Sequence, residues 1–352
     1  MALTKVFQKY LSNIFISIVQ QGNEWIISSR VVKNGVLKDK FSKNFDAKEY
    51  ESIPFKMEEY LNTLQTEYNF SYLALFLDSM GQGAISGTTA IDFQKNSVAM
   101  KSVTHFNLDN QWSIYASFID INWAKKLFKN VGIDFIYSPF IVQYSLIKKQ
   151  RVKEKPILYM LNHQDSVTIT VFDGNSLLFG AYFKTTTDDN ISSGEEDWEN
   201  AEEEEGIENI AELDNTSDDM GNMEELDDLS DLSDLSDLSD LDDLSDSDAS
   251  FEDIKSEEND LGHFEDDTEE SDLELFGRDI LIYKYLTSSL KEFYANPLYK
   301  SSFIETVIIY DGYEVSSELI DMIESELLMD IEMNKIDINE IVCNMAREEI
   351  LS

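Results

Sequence analysis

The feature that most constrains this chain is a three-stranded meander written twice. The first copy runs through residues 14–19 (IFISIV), breaks at 20–23, resumes at 25–32 (WIISSRVV), turns at Asn34-Gly35 and returns through Phe41. The second runs through 157–161 (ILYML), breaks at 162–165, resumes at 167–172 (VTITVF), turns at Asp173-Gly174 and returns through 177–183. Asn-Gly and Asp-Gly accept positive φ at both central positions of a type I′ turn, whose twist matches the flanking strands. One such unit in each half predicts an α/β protein with a duplicated fold.

The segments between the meanders alternate in type. Residues 47–68 keep a helical period through Tyr50, Ile53, Met57, Tyr60, Leu61 and Leu64, interrupted by Pro54. Strands are predicted at 72–77 and, after Gly81-Gln82-Gly83, at 84–93, which makes a small α/β insert of about 47–105. Helices at 119–129 and 138–147 flank a strand at 134–137, with Pro139 in a first turn where its missing N–H costs nothing. Beyond residue 275 the pattern predicts a helix at 280–294 (Ile280, Tyr283, Leu286, Leu290, Phe293) and a strand at 305–310. A turn at Asp311-Gly312-Tyr313 then leads to a helix carrying Leu319, Ile320 and Ile323, a strand at 331–336 and a helix at 338–351.

Charge is distributed unevenly. Of the 70 acidic residues, 39 fall within 188–276, against one basic residue, Lys255, so that stretch carries −38 of the net −43. Its middle repeats Leu-Ser-Asp from Leu229 to Asp246. A period of three makes no helical face and dense like charge opposes compaction, which predicts a disordered insertion. It lacks the glycine and glutamate of an EF-hand loop. It reads as a solvated spacer, with a docking tail or a phosphorylated tract at Ser230, Ser233 and Ser236 as the alternatives. Such a tract repels phosphate backbones, so nucleic acid is not an expected partner. Lys148, Lys149, Arg151, Lys153 and Lys155 form a basic connector, either an interdomain linker or a dock for that tract.

Cys343 alone gives no disulfide framework, and His105, His163 and His263 are too scattered for a Cys/His metal constellation. The apolar runs fall short of the ~20 residues that span a bilayer, and the N-terminus shows no secretory leader pattern. Leu3, Val6, Phe7, Tyr10 and Leu11 fall at helical spacing, as a turn packed on its own domain or a weak membrane-surface helix. A cytoplasmic protein is expected.

The order of elements resembles the PilM family of type IV pilus machines and the cytoplasmic half of the type II secretion protein GspL. Three segments carry the resemblance: 127–146, with Leu127-Phe128-Lys129-Asn130-Val131-Gly132 at its start; the second hairpin, 157–183; and 305–328, with Gly312 at its turn. The resemblance implies an actin-like (ribonuclease H-like) pair of domains. Domain I is 1–150, and domain II is 151–187 together with 277–352, interrupted by the acidic insertion. It also implies a cytoplasmic scaffold that meets the membrane only through partners. That scaffold grips the tail of a single-pass inner-membrane protein in a pilus, secretion or flagellar-type machine, and forms a homo-oligomer or ring.

Nucleotide-binding relatives place an Asp-x-Gly turn against phosphate. Aligned on its first strand, the second hairpin puts Tyr159 and Leu161 at those two positions. Gly22 survives in the first turn without a preceding acid, and Asp311-Gly312 remains of the adenosine-side motif. The expectation is a degenerate nucleotide site, no cofactor and no catalysis; an ATP- and magnesium-dependent switch is one competing reading, and an acidic-tract binding protein the other. His163, Asp165 and Ser166 read as solvated turn residues, and Asp78 with Gly81 and Gly83 as a turn. The partner groove is expected beside the insert, around Leu73, Leu75, Leu77, Leu127, Ile133 and Tyr137.

Overall fold

The computed structural model describes residues 11–47, 52–150, 155–185 and 267–351. The Leu-Ser-Asp tract, the N-terminal stretch from Leu3 to Tyr10, and Arg151 and Lys153 of the connector lie outside the described residues.

Both meanders form. β1 (Asn13–Gln21), β2 (Glu24–Lys33) and β3 (Val36–Asp46) make the first; β9 (Ile157–His163), β10 (Ser166–Asp173) and β11 (Ser176–Lys184) make the second. In the first, β1 continues into parallel pairing with β4 (Phe70–Phe76) and then β8 (Phe135–Tyr137), giving the order β3-β2-β1-β4-β8. In the second, β9 pairs in parallel with β12 (Thr306–Asp311), which pairs with β13 (Asp330–Lys335), giving β11-β10-β9-β12-β13. The two five-stranded sheets share order and strand direction. Each outer hairpin also slips register at the same place, between Val31 and Val32 and between Val171 and Phe172, two residues before its loop. A bulge recurring at one position marks the halves as copies of a single design.

The second turn differs from its predicted form. Asn34 and Gly35 both have positive φ (55° and 73°), as a type I′ turn requires. In β10–β11, Asp173 pairs with Ser176 and the loop is Gly174-Asn175, where only Gly174 (φ 59°) is left-handed. Glycine at the first central position suits a type II′ turn, which moves the loop one residue along.

Helices cover the sheets. α1 (Phe55–Glu67) starts only after Pro54, not at 47, and places Met57, Leu61 and Leu64 against Ile14, Ile16, Ile18 and Leu73. Short α2 (Ala90–Lys95) replaces the second part of the strand predicted at 84–93. Thr89 and Asp92 form a reciprocal capping box that starts it, and the strand there, β5, covers only Gln82–Ser86. β5, β6 (Val103–Leu108) and β7 (Trp112–Ser117) make a three-stranded antiparallel sheet in the order β5-β7-β6. The insert is therefore shifted from 47–105: α1 and β4 belong to the first main sheet, and the small sheet runs on to Ser117. It approaches the second half closely, since a side chain on Gly180 of β11 would stand 3.0 Å from the Ala84 carbonyl oxygen.

α3 (Phe118–Leu127) and α4 (Pro139–Ile147) follow, the latter capped by Ser138 with Pro139 in its first turn. α5 (Asp267–Ala295), α6 (Ser317–Glu326) and α7 (Ile338–Leu351) complete the chain. The buried stripe of α5 is Ile282, Leu286, Leu290 and Phe293; Ile280 and Tyr283, predicted to face the core, are half-buried. The last helix of each half docks on the other half's sheet. Gln143 of α4 bonds the Thr168 carbonyl and the Thr170 hydroxyl of β10, while Asn339 of α7 accepts from Ser17 of β1 at 2.8 Å. Between them a shared core holds Phe15, Phe76, Phe140, Tyr159, Tyr310 and Val342.

Candidate functional site

In an open α/β sheet, ligands collect outside the carboxyl ends of the parallel strands. Here β1 leads into Gly22, β4 into Asp78, β9 into the Gln164-Asp165 turn and β12 into Asp311-Gly312. These four ends meet in one buried polar cluster.

The two hairpin turns touch directly. The Gly22 N–H donates to Asp165 Oδ2 at 2.7 Å, and Gly22 has φ +53° with Gln164 Nε2 2.8 Å from where a Cβ would lie. A backbone amide placed to meet an anion is therefore taken by the chain's own carboxylate. On the other side, the Gly312 N–H donates to the Asn162 carbonyl at 2.9 Å and Asn162 Nδ2 donates to Asp311 Oδ1 at 2.8 Å. A Cβ on Gly312 would stand 2.7 Å from Ile338 Cδ1. Asp311 is 4% exposed, and burial raises its pKa against the hydrogen bond from Asn162.

Arg278, near the start of the described side chains of α5, closes the cluster. Its guanidinium donates to the carbonyls of His163 (2.6 Å), Gln164 (2.9 Å) and Glu314 (3.4 Å) and to Asn162 Oδ1. Next to it, Asp279 accepts the Ser316 N–H that begins α6. Sequence reasoning missed this pair. The signal available was position: continuing the stripe back from Ile282 puts charged residues 278 and 279 at the buried end of the helix.

Asp78 holds the third corner. Tyr182 donates to its Oδ1, Lys184 Nζ lies 2.6 Å from its Oδ2, and His163 Nδ1 stands 3.7 Å from the same oxygen. Burial works to raise its pKa, but His163, Lys184 and Tyr182 outweigh it and hold the carboxyl below the usual range. Burial likewise pushes His163 toward its neutral form, against the pull of Asp78 and Asp165. His163, Asp165 and Ser166, expected as solvated turn residues, are buried, and Asp78, 85 residues upstream of His163 in the sequence, joins them.

The positions assigned to Tyr159 and Leu161 are corrected. Both lie mid-strand in the shared core, Tyr159 stacked on Tyr310 with ring centroids 6.2 Å apart. β9 runs on through Asn162 and His163, read as a polar break, because Arg278 and Asp311 satisfy the Asn162 side chain and the His163 carbonyl. The turn thus falls at Gln164-Asp165, and polar side chains, not Tyr159 and Leu161, fill the strand ends.

A separate open cleft of about 760 Å³ lies beside the small sheet. It is lined by Phe106 and Ile114 of the small sheet, Ile141 of α4, Met345 of α7 and, at its base, Phe135, Ile136 and Tyr137 of β8. Three consecutive strand residues line a cavity only when the strand presents its edge, and β8 is the edge of its sheet. Glu348 and Glu349 stand at the rim, while Lys148 is engaged by Asp109 at 3.2 Å. Burial, and then these two glutamates, raise the Tyr137 pKa. Of the predicted groove residues, Leu77 and Tyr137 line the cleft. Leu73 and Leu75 of β4 and Leu127 of α3 are buried together, with Ile133 packed against them, because the apolar face read as a groove is the outer core of the first sheet.

Residues 158–351 match a family model described as a domain of unknown function, DUF8341, and residues 10–144 match one described as a domain of unknown function, DUF8569. No curated protein matches the chain. Among solved structures, it is similar to a chain of a PilM–PilN type IV pilus biogenesis complex at 9% identity and a TM-score of 0.52, covering 97% of this chain and 98% of that one. A Bacteroides thetaiotaomicron protein with an actin-like ATPase fold and unknown function aligns at 14% identity and a TM-score of 0.32, over 51% of this chain and 72% of its own. The fold is actin-like, as the resemblance to the PilM family implies, and its two sheets repeat one topology.

Proposed function

Because the chain belongs to the DUF8341 family, a domain of unknown function, its role rests on its own geometry, and we propose that it is a non-catalytic scaffold that grips an extended peptide. The observation that carries this reading is the edge of β8 at the floor of an apolar cleft. An unpaired strand edge binds a partner by adding one more strand, with pockets alongside for alternate side chains. The rim glutamates favour a basic segment. Cytoplasmic tails next to membrane spans are enriched in Lys and Arg, so the cleft suits the tail of a single-pass inner-membrane protein. Likeness to a chain of a PilM–PilN complex supports a place in a pilus, secretion or flagellar-type envelope machine. No helix among the described residues is long and apolar enough to cross a membrane, so attachment would come through that partner. Phe118, Ile119 and Trp123, exposed on α3, offer a surface for assembly into a ring.

The strand-end cluster supports the non-catalytic part. Asp165 takes the Gly22 amide and Arg278 crosses the turn, so phosphate would have to displace both. A photocrosslinking residue at Phe106, which is 64% exposed on the cleft wall, tests the reading in cells. It expects adducts with the N-terminal tail of a single-pass membrane protein, lost in Ile141→Arg. Adducts unaffected by Ile141→Arg would overturn it.

A further inference from the structure

Asp78, His163 and Asp165 each offer a donor atom within 4.8 Å of the other two. They come from different elements: Asp78 follows β4 in the first half, His163 ends β9 and Asp165 lies in the β9–β10 turn of the second. All three are nearly buried. Neither nitrogen of His163, 1% exposed, has a hydrogen-bond partner, and Asp165 Oδ1 has none either, although Oδ2 is held by Gly22. Leaving such groups buried and unpaired is unfavourable, and a ligand at this point would relieve it. We propose that these three residues form a binding site for a first-row divalent cation of zinc's class, a site that pins the two halves together at their strand ends.

The donor set fits such an ion. One imidazole and two carboxylates suit a borderline metal, and the set leaves room for a water as fourth ligand. Donors around tetrahedral zinc stand about 3.3–3.6 Å apart, given bonds of about 2.0–2.2 Å. His163 Nδ1 and Asp78 Oδ2, at 3.7 Å, need only a small inward shift. Two cations lie nearby. Arg278 is committed to the turn carbonyls, and Lys184, with 29% of its side chain exposed, can leave Asp78 for water. The proposal does not depend on the peptide-binding reading.

The test uses the full chain, dialysed against chelator, titrated with cobalt(II) and then zinc. The acidic tract offers many further carboxylates to a divalent cation, so the readout must report the imidazole. A low-symmetry cobalt site with a histidine ligand gives visible ligand-field bands, which six-coordinate carboxylate sites give only faintly. The expected result is one cobalt per chain with such bands, displaced by zinc. His163→Gln and Asp165→Asn should lose the bands and weaken zinc binding by roughly tenfold or more, while His105→Gln and His263→Gln keep them. Should His163→Gln fail to fold, Asp165→Asn, which preserves shape, carries the test. No bands in the wild type, or bands unchanged in Asp165→Asn, would overturn the site.

Discussion

Tyr310 shows what a single residue contributes here. Its ring stacks on Tyr159 in the shared core while its hydroxyl is buried without a hydrogen-bond partner. Tyr310→Phe keeps the packing and removes the desolvated group, so it should stabilise the fold by about 1 kcal/mol, read as a higher denaturation midpoint. Burial also raises the Tyr310 pKa above its ordinary 10.0. A group harder to ionise when folded contributes stability below pH 10 that is lost as pH rises further. The advantage of Tyr310→Phe should therefore widen above about pH 10. Cys343 follows the same sign, with burial pushing its thiol up to about 11. Being neutral and buried, it should react with a thiol reagent at neutral pH only after unfolding; rapid labelling of the native protein would contradict its placement.

At the scale of elements, α5 is anchored by charge as well as by its apolar stripe. Arg278→Met leaves the turn carbonyls and Asp279 without their partner, and should cost about 3–5 kcal/mol in a denaturant titration. A loss below 1 kcal/mol would show that the guanidinium does not hold the strand ends. The strands and long helices were legible because period two and period 3.6 differ plainly in segments such as 14–19 and 338–351. The helix at 90–95 was hidden by the apolar run leading into it, although Thr89 and Asp92 carried its capping signal. The polar cluster was not legible. Asn162 and His163 look like a loop until Arg278, over a hundred residues away, supplies the hydrogen bonds that let them continue a strand.

The whole molecule joins a closed strand-end cluster to an open cleft. The duplicated topology was visible in the two meanders, but which face stayed open was not, since Leu73, Leu75 and Leu127 read alike as core or groove. Ile141→Arg should abolish binding of the proposed tail peptide while leaving thermal stability nearly unchanged, because Ile141 is only half-buried at the cleft. The most direct test of the central claim is thermal unfolding of the full chain in constant millimolar magnesium, with and without millimolar ATP. A ligand selective for the native state raises the midpoint. No shift is expected, since Asp165 holds the Gly22 amide and Arg278 holds the turn carbonyls; a rise of several degrees would contradict this and make the protein a nucleotide switch.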